Sequence, residues 1–158
     1  PEGRPVVARV EDDDTATVMQ KVFAANIQAL QNTQAVLDVD ALERATQVLI
    51  KAKKIVIIGV GTSGPLVLDC QYKLMRIGVY CQAIVDPHIQ LVMVAQLGKG
   101  DVVIGISHSG SSKEVVEAVS YAKESGTTTI SITGYAKSPI TKVSDIILNT
   151  SADRKSVV

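Results

Sequence analysis

Six residues, "SHSGSS" (Ser107 to Ser112), place four serines, a histidine and a glycine between the apolar run "DVVIGI" and the helix-like run "KEVVEAVSYAKESG". A second polar glycine loop, "GVGTSG" (Gly59 to Gly64), follows the apolar run "KIVII" about 45 residues earlier. A serine hydroxyl can donate a hydrogen bond to an oxyanion, and glycine lets the backbone come close to it. A helix N-terminus adds unpaired amides and the positive end of the helix dipole. Either loop alone reads equally well as a turn with a cap. Two of them, each opening a helix, point to a phosphate site.

The elements that would position these loops follow from hydrophobic periodicity. Met19, Phe23, Ile27 and Leu30 recur at helical spacing from Thr15 onward, with Val18 and Val22 widening the stripe, which predicts a helix over 15–36. A second helix is expected from Asp40, where Asp40 and Glu43 form an Asp-x-x-Glu start and Leu42, Ala45, Leu49 and Ala52 mark the buried side. Beyond "KAKK", β-branched runs alternate with helical segments: "KIVIIG", 65–77, "VYCQAIV", 87–97, "DVVIGIS", 113–125, "TTTISIT", a turn at Pro139, and "DIILNT". Apolar strands separated by helices imply a parallel sheet covered on both faces. The expected fold is α/β, a doubly wound five-stranded parallel sheet of flavodoxin-like order 2-1-3-4-5, preceded by two helices. In that order the first and third strands are neighbours at the topological switch point, so both loops would face one crevice.

Composition limits the alternatives. One domain is expected from 158 residues. Sixteen basic residues balance sixteen acidic ones, so nothing in the overall charge recruits a nucleic acid directly. Cys70 and Cys81 have neither redox nor zinc-knuckle spacing and are expected to be reduced, in a cytoplasmic protein. No run of about 18 apolar residues suggests a membrane span, and no signal peptide is evident. The opening "PEGRPVVARVEDDD" has no initiator methionine; residues 1–14, with the acid run Asp12 to Asp14, are expected to be a linker from an upstream segment, ending in a helix N-cap.

Two other phosphate chemistries compete. The first loop matches Gly-x-Gly-x-x-Gly, and Asp86 closes the second strand where a dinucleotide fold holds its ribose-reading acid. That reading leaves the serines of the second loop unused and little chain for a substrate domain. Asp86 also suits a helix N-cap before Pro87. A nucleotide triphosphatase is disfavoured because no Lys-Ser or Lys-Thr follows the first loop.

"GVGTSG" followed by "SHSGSSKEV" resembles the signature of the SIS (sugar isomerase) domain, Gly-x-Gly-x-Ser followed by Ser-x-Ser-Gly-x-Thr or Ser, over roughly residues 40–150. "KVFAANIQALQNTQAVLD", "LERATQVLIKAKKIVIIGVGTSG" and "YKLMRIG" further resemble the effector half of RpiR-type bacterial transcriptional regulators. The resemblance implies phosphate contacts from Ser63, Ser107, Ser109 and Ser112, with Gly59, Gly61, Thr62, Gly64, Gly110 and Ser111 as loop backbone. It implies an SIS domain over 15–158, a DNA-binding helix-turn-helix domain upstream that alone would contact DNA, and a homodimer or tetramer. The chain stops at "NTSADRKSVV", so the closing C-terminal helix of family members is expected to be absent.

An isomerase needs a general base over the sugar. Glu114 and Glu117 read as solvated helix residues; His108 and His88 are candidate sugar contacts, each with a surface or capping alternative. No catalytic constellation, metal site or cofactor is expected. The economical reading is a sensor that binds a phosphorylated sugar or amino sugar without turnover. An aldose-ketose isomerase and a dinucleotide-binding domain remain as alternatives.

Overall fold

The computed structural model describes residues 13–151. It divides into two compact units: the described residues up to Leu37 with Thr150 and Ser151, and Asp38–Asn149. Apart from Asp13 and Asp14, the tract expected to be a linker lies outside the described residues, as does the chain end after Ser151.

The first unit is built on α1 (Thr15–Val36). Asp14 ends the acid run as its N-cap, accepting from the Thr17 N–H at 2.7 Å, and hydrogen bonds from the Thr17 side chain and backbone hold its carboxyl below the usual carboxylate range. None of its side chains is buried, and Met19, Phe23, Ile27 and Leu30 stand exposed along one stripe. The Ser151 N–H donates to Thr33 Oγ1 at 3.0 Å.

The second unit runs α2 (Val39–Lys51), β1 (Ile55–Ile58), α3 (Gly64–Arg76), β2 (Gln82–Ile84), α4 (Pro87–Val94), β3 (Val102–Ile106), α5 (Lys113–Glu124), β4 (Thr128–Thr133), α6 (Pro139–Lys142) and β5 (Ile146–Asn149). The five strands pair in parallel in the order β2-β1-β3-β4-β5, the expected doubly wound order. The expected strand at 79–85 contracts to three residues because β2 is an edge strand with one partner, matched only from Val56↔Gln82 to Ile58↔Ile84.

Strand alternation divides the core into two layers. Ile55, Ile57, Val102, Ile104 and Ile130 pack with Ala41 and Ala45 of α2 and Val67 of α3. Val56, Ile58 and Val103 pack with Val94 of α4, with Val115, Ala118, Val119 and Ala122 of α5, and with Ile140 of α6. Each fully buried Val or Ile contributes about 1.5–3 kcal/mol relative to an exposed one, so this bilayer carries the unit's stability.

Two local expectations are corrected. The cap of α2 is Asp38, not Asp40: Asp38 Oδ1 accepts from the Asp40 and Ala41 N–H groups at 2.8 and 3.1 Å. Asp40 instead lies in the first turn, where its charge suits the dipole. The buried face is Ala41 and Ala45, backed by Val48, Leu49 and Ala52, and Leu42 points outward. Two alanines let the helix lie close to the sheet, and that approach sets its rotation.

Cys70 and Cys81 are free thiols. Burial pushes both thiols up, helped at Cys70 by Cys81, so both are neutral at pH 7.

The second edge strand is held by a carboxylate. Asp145 Oδ2 accepts from the Thr129 N–H and hydroxyl at 3.0 and 2.9 Å, and Oδ1 meets Lys123 Nζ at 3.0 Å. Burial pushes the Asp145 carboxyl up, but hydrogen bonds from Thr129 and Lys123 outweigh it and leave the group below the usual carboxylate range. Its stabilisation is therefore complete above the ordinary Asp pKa of about 3.9 and is lost as pH falls through the lower folded value. Asp145→Ala orphans the N–H of fully buried Thr129, partly relieved by water at the exposed carboxylate position. It should cost about 1–2 kcal/mol at pH 7, or roughly 2–8 °C in Tm. Thermal melts of wild type and variant should converge as pH drops below about 3.9.

Candidate functional site

The first loop leaves β1 at Gly59 and turns through a 3-10 segment, Gly61–Ser63, directly into α3. Gly61 has φ +57, the left-handed region that favours glycine. The Gly64 N–H donates to the Gly61 carbonyl, which closes the turn. Ser63 occupies the N-cap position of α3, yet its side chain makes no capping bond, and Thr62 beside it is exposed. The hydroxyl at the helix entrance is thus not spent on the helix.

The second loop leaves β3 at Ser107, whose N–H donates to the Ile132 carbonyl at 3.1 Å. Gly110 N–H closes the turn onto the Ser107 carbonyl at 3.0 Å. Ser107 is buried, and its Oγ lies 3.2 Å from Ser112 Oγ. Ser112 is the N-cap of α5, again without a side-chain capping bond. The Ser111 hydroxyl donates to Ser109 Oγ at 3.0 Å, and the Ser111 N–H approaches the same oxygen at 3.3 Å. Ser109 accepts both bonds, so its own proton is left for an outside acceptor, and the hydroxyl chain polarises that donor further.

Gly59 is where the two loops meet. A Cβ there would sit 2.9 Å from the Ile106 carbonyl oxygen, 3.4 Å from Ser63 Cβ and 2.7 Å from Val67 Cγ2. Ile106 immediately precedes Ser107, so the roots of both loops touch at a residue with no side chain. The helices α3 and α5 both begin at this end of the sheet. Their N-termini give this end of the sheet a favourable potential for an anion, although neither "GVGTSG" nor "SHSGSS" contains a lysine or arginine.

A third loop, between β4 and α6, braces the second one. The His108 carbonyl accepts from the Gly134 N–H at 2.9 Å and from Thr133 Oγ1 at 3.3 Å, and the Gly110 carbonyl accepts from the Ile140 N–H at 2.9 Å. The His108 ring lies over Gly134 and meets Tyr135 edge to face at a centroid distance of 5.7 Å. His108 is thereby half-buried against the third loop rather than released to solvent.

The remaining candidates are placed elsewhere. Asp86 caps α4, its Oδ1 accepting from the His88 and Ile89 N–H groups at 2.9 and 3.1 Å, which is the helix-capping alternative to ribose recognition. His88 is exposed on the first turn of α4. Glu114 is exposed, and the exposed Glu117 pairs with Lys113 at 3.7 Å along α5. Among the described residues, no group of three or more His, Cys, Asp or Glu side chains could hold a metal ion.

The family model for the SIS domain matches residues 48–158, the segment that contains both loops. The chain belongs to the SIS domain family. This SIS domain is 45% identical over 142 residues to an uncharacterised HTH-type transcriptional regulator of Caldanaerobacter subterraneus, covering 90% of the chain and 50% of that protein. It is 36% identical over 137 residues to the HTH-type transcriptional regulator RpiR of Escherichia coli, covering 87% of the chain and 46% of that protein. The chain spans about half the length of these curated relatives. Among solved structures, the NanR protein of Vibrio vulnificus complexed with ManNAc-6P is similar with a TM-score of 0.84 and 26% identity, over 90% of this chain and 56% of that one. The sugar isomerase domain of an RpiR transcription factor from Sphaerobacter thermophilus shares the fold with a TM-score of 0.77 at 23% identity, over 84% and 74% of the two chains.

Sequence reasoning did not single out Thr133, Gly134, Tyr135 and Ser138 of the bracing loop. The only signal was the turn-rich "TGYAKSP" after the fourth strand. Their importance shows at Gly110, which has φ +63 and where a Cβ would lie 2.1 Å from Ser138 Oγ and 2.9 Å from Thr133 Oγ1. Gly110→Ala in this SIS domain should cost about 2–4 kcal/mol, from left-handed backbone strain plus overpacking. Gly61→Ala shares the strain but meets nothing within 4 Å, and should cost only about 1–2 kcal/mol. Denaturant unfolding of the two variants side by side checks the difference.

Proposed function

We propose that this chain is the effector-sensing domain of a bacterial transcriptional regulator and that it binds a phosphorylated sugar or amino sugar between its two Ser/Gly loops. The observation that carries the reading is the contact of both loop roots at Gly59, beside two helix N-termini whose N-cap serine hydroxyls do not cap their own helices. The similarity to NanR, a protein seen with ManNAc-6P, supports the ligand class, and the regulator names of the relatives support the role.

In this reading Ser63, Ser109 and Ser112 donate to the phosphate oxygens and Ser107 forms the floor through its contact with Ser112. The Gly64 and Gly110 amides already donate within their turns, so Gly59, Gly61, Gly64 and Gly110 shape the cradle. Thr62 and Ser111 complete its rim. His108, held against Tyr135, faces the sugar, and His88 borders it. The cradle is neutral and uses dipoles, which suits reversible sensing of a metabolite.

The regulator names of the relatives support binding without turnover, and of the histidine and glutamate candidates only His108 stands within the two loops. For binding to signal, the ligand must prefer one conformational state of the protein. DNA contact would belong to an upstream helix-turn-helix domain, joined through residues 1–14. The exposed stripe of α1 suits assembly into a homodimer or tetramer. No described helix is long and apolar enough to cross a membrane. The cytoplasmic location proposed for this chain rests on the regulator names of its relatives.

Thermal unfolding against sugar phosphates, amino-sugar phosphates including ManNAc-6P, and NAD tests the proposal. A ligand at about 100 times its Kd stabilises by roughly 2.7 kcal/mol, which is about 5–11 °C at this chain length. The expected result is such a shift for one phosphorylated sugar, lost in Ser107→Ala/Ser109→Ala, with no product in a coupled aldose-ketose assay. A shift for NAD alone that ignores the serine pair would establish the dinucleotide alternative, and turnover would establish the isomerase.

A further inference from the structure

Helix α4 buries a glutamine one turn before its core residue Val94. Its Ile89, Leu91 and Val92 are exposed, whereas Gln90 is fully buried. A buried amide persists only where hydrogen bonds compensate its desolvation. Gln90 Nε2 donates to the carbonyl oxygen of Gly59 at 3.1 Å and to that of Ile84 at 3.0 Å. The β1–β2 ladder ends at Ile58↔Ile84, so the side chain joins the two strands where their own pairing stops.

The chemistry dictates which way this amide faces. Both bridged groups are carbonyls, so only the NH2 end can face them, and each proton serves one acceptor. Among the described residues Gln90 Oε1 accepts no hydrogen bond. The amide's orientation is therefore set by the two carbonyls. One of them belongs to Gly59, the residue on which the two loop roots meet, hemmed by Ile106, Ser63 and Val67.

We propose that Gln90 is a positioning residue for the phosphate cradle: by holding the Gly59 carbonyl it sets the first loop against the second. Without it, β1 can splay from β2 at its end, Gly59 can move away from Ile106, and Ser63 loses its place relative to Ser109 and Ser112. This inference rests on the reading that the two loops hold a sugar phosphate. The only sequence trace of the role is one glutamine in the otherwise apolar run "IQLVMV".

The test is a titration of wild type and Gln90→Leu with inorganic phosphate and with ManNAc-6P, at a temperature where both are folded, read as Kd by NMR or calorimetry. The expected result is at least a tenfold weaker Kd in the variant for whichever probe binds wild type. A bridge with a merely structural role lowers Tm and leaves Kd within twofold, and that outcome overturns the inference while the sugar-phosphate reading stands. If wild type binds neither these probes nor any compound of the sugar-phosphate panel, the reading itself falls and the inference with it. Should Gln90→Leu not fold, the side-chain NH2 resonances of Gln90 in wild type decide. Movement of that pair with the same half-saturation as the loop amides supports positioning, and an unmoved pair under saturating probe overturns it.

Discussion

At Gly59 the chain leaves an interior strand of a parallel sheet and passes the carbonyl of Ile106 so closely that no side chain fits between them. Everything proposed for the crevice depends on that approach. With a bulkier residue, β1 and β3 would separate at their carboxyl ends, and the hydroxyls of the first loop would no longer converge with those of the second. The sheet topology supplies the opportunity, because connections leave β1 and β3 toward opposite sides of the sheet. The glycine turns that opening into a contact.

Around this contact the proposed cradle would use neutral donors. Hydroxyls at two helix N-caps are withheld from capping, and a third accepts bonds that polarise its own proton. Such a cradle gains from fixed geometry rather than from net charge, so its backbone must be held firmly. Three braces provide this: the carbonyls of His108 and Gly110 are tied to the loop after β4, the carbonyl of Gly59 is tied to Gln90, and each loop closes its own turn. Polar groups that would otherwise be orphaned in a buried setting thus become the scaffold of the site.

Much of this was legible beforehand because strands and helices announce themselves by period. The runs "KIVII" and "DVVIGI" are apolar throughout, as strands covered on both faces must be, and the helices between them fixed the parallel order. Asp14 was readable as a cap because it directly precedes a helical run, whereas Asp86 was readable either as a cap or as a ribose-reading acid, and folding makes it the cap of α4. Where two acids compete, at Asp38 and Asp40, the pattern is ambiguous; packing of Ala41 and Ala45 against the sheet decides where α2 begins and turns Leu42 outward.

The sequence by itself determined the fold class, the pairing of two Ser/Gly loops and the family to which the chain belongs. These depend on residue types and on spacing along the chain. The braces of the site were decided only by tertiary structure. Gln90 meets Gly59 across 31 positions, and His108 meets Thr133 across 25, so no local pattern marks either contact. A lone glutamine in an apolar helix and a tyrosine in a turn look incidental until folding brings a carbonyl or a ring opposite them. Long-range hydrogen bonds to backbone have this character: the acceptor is present in every residue, and only the fold selects which one is met.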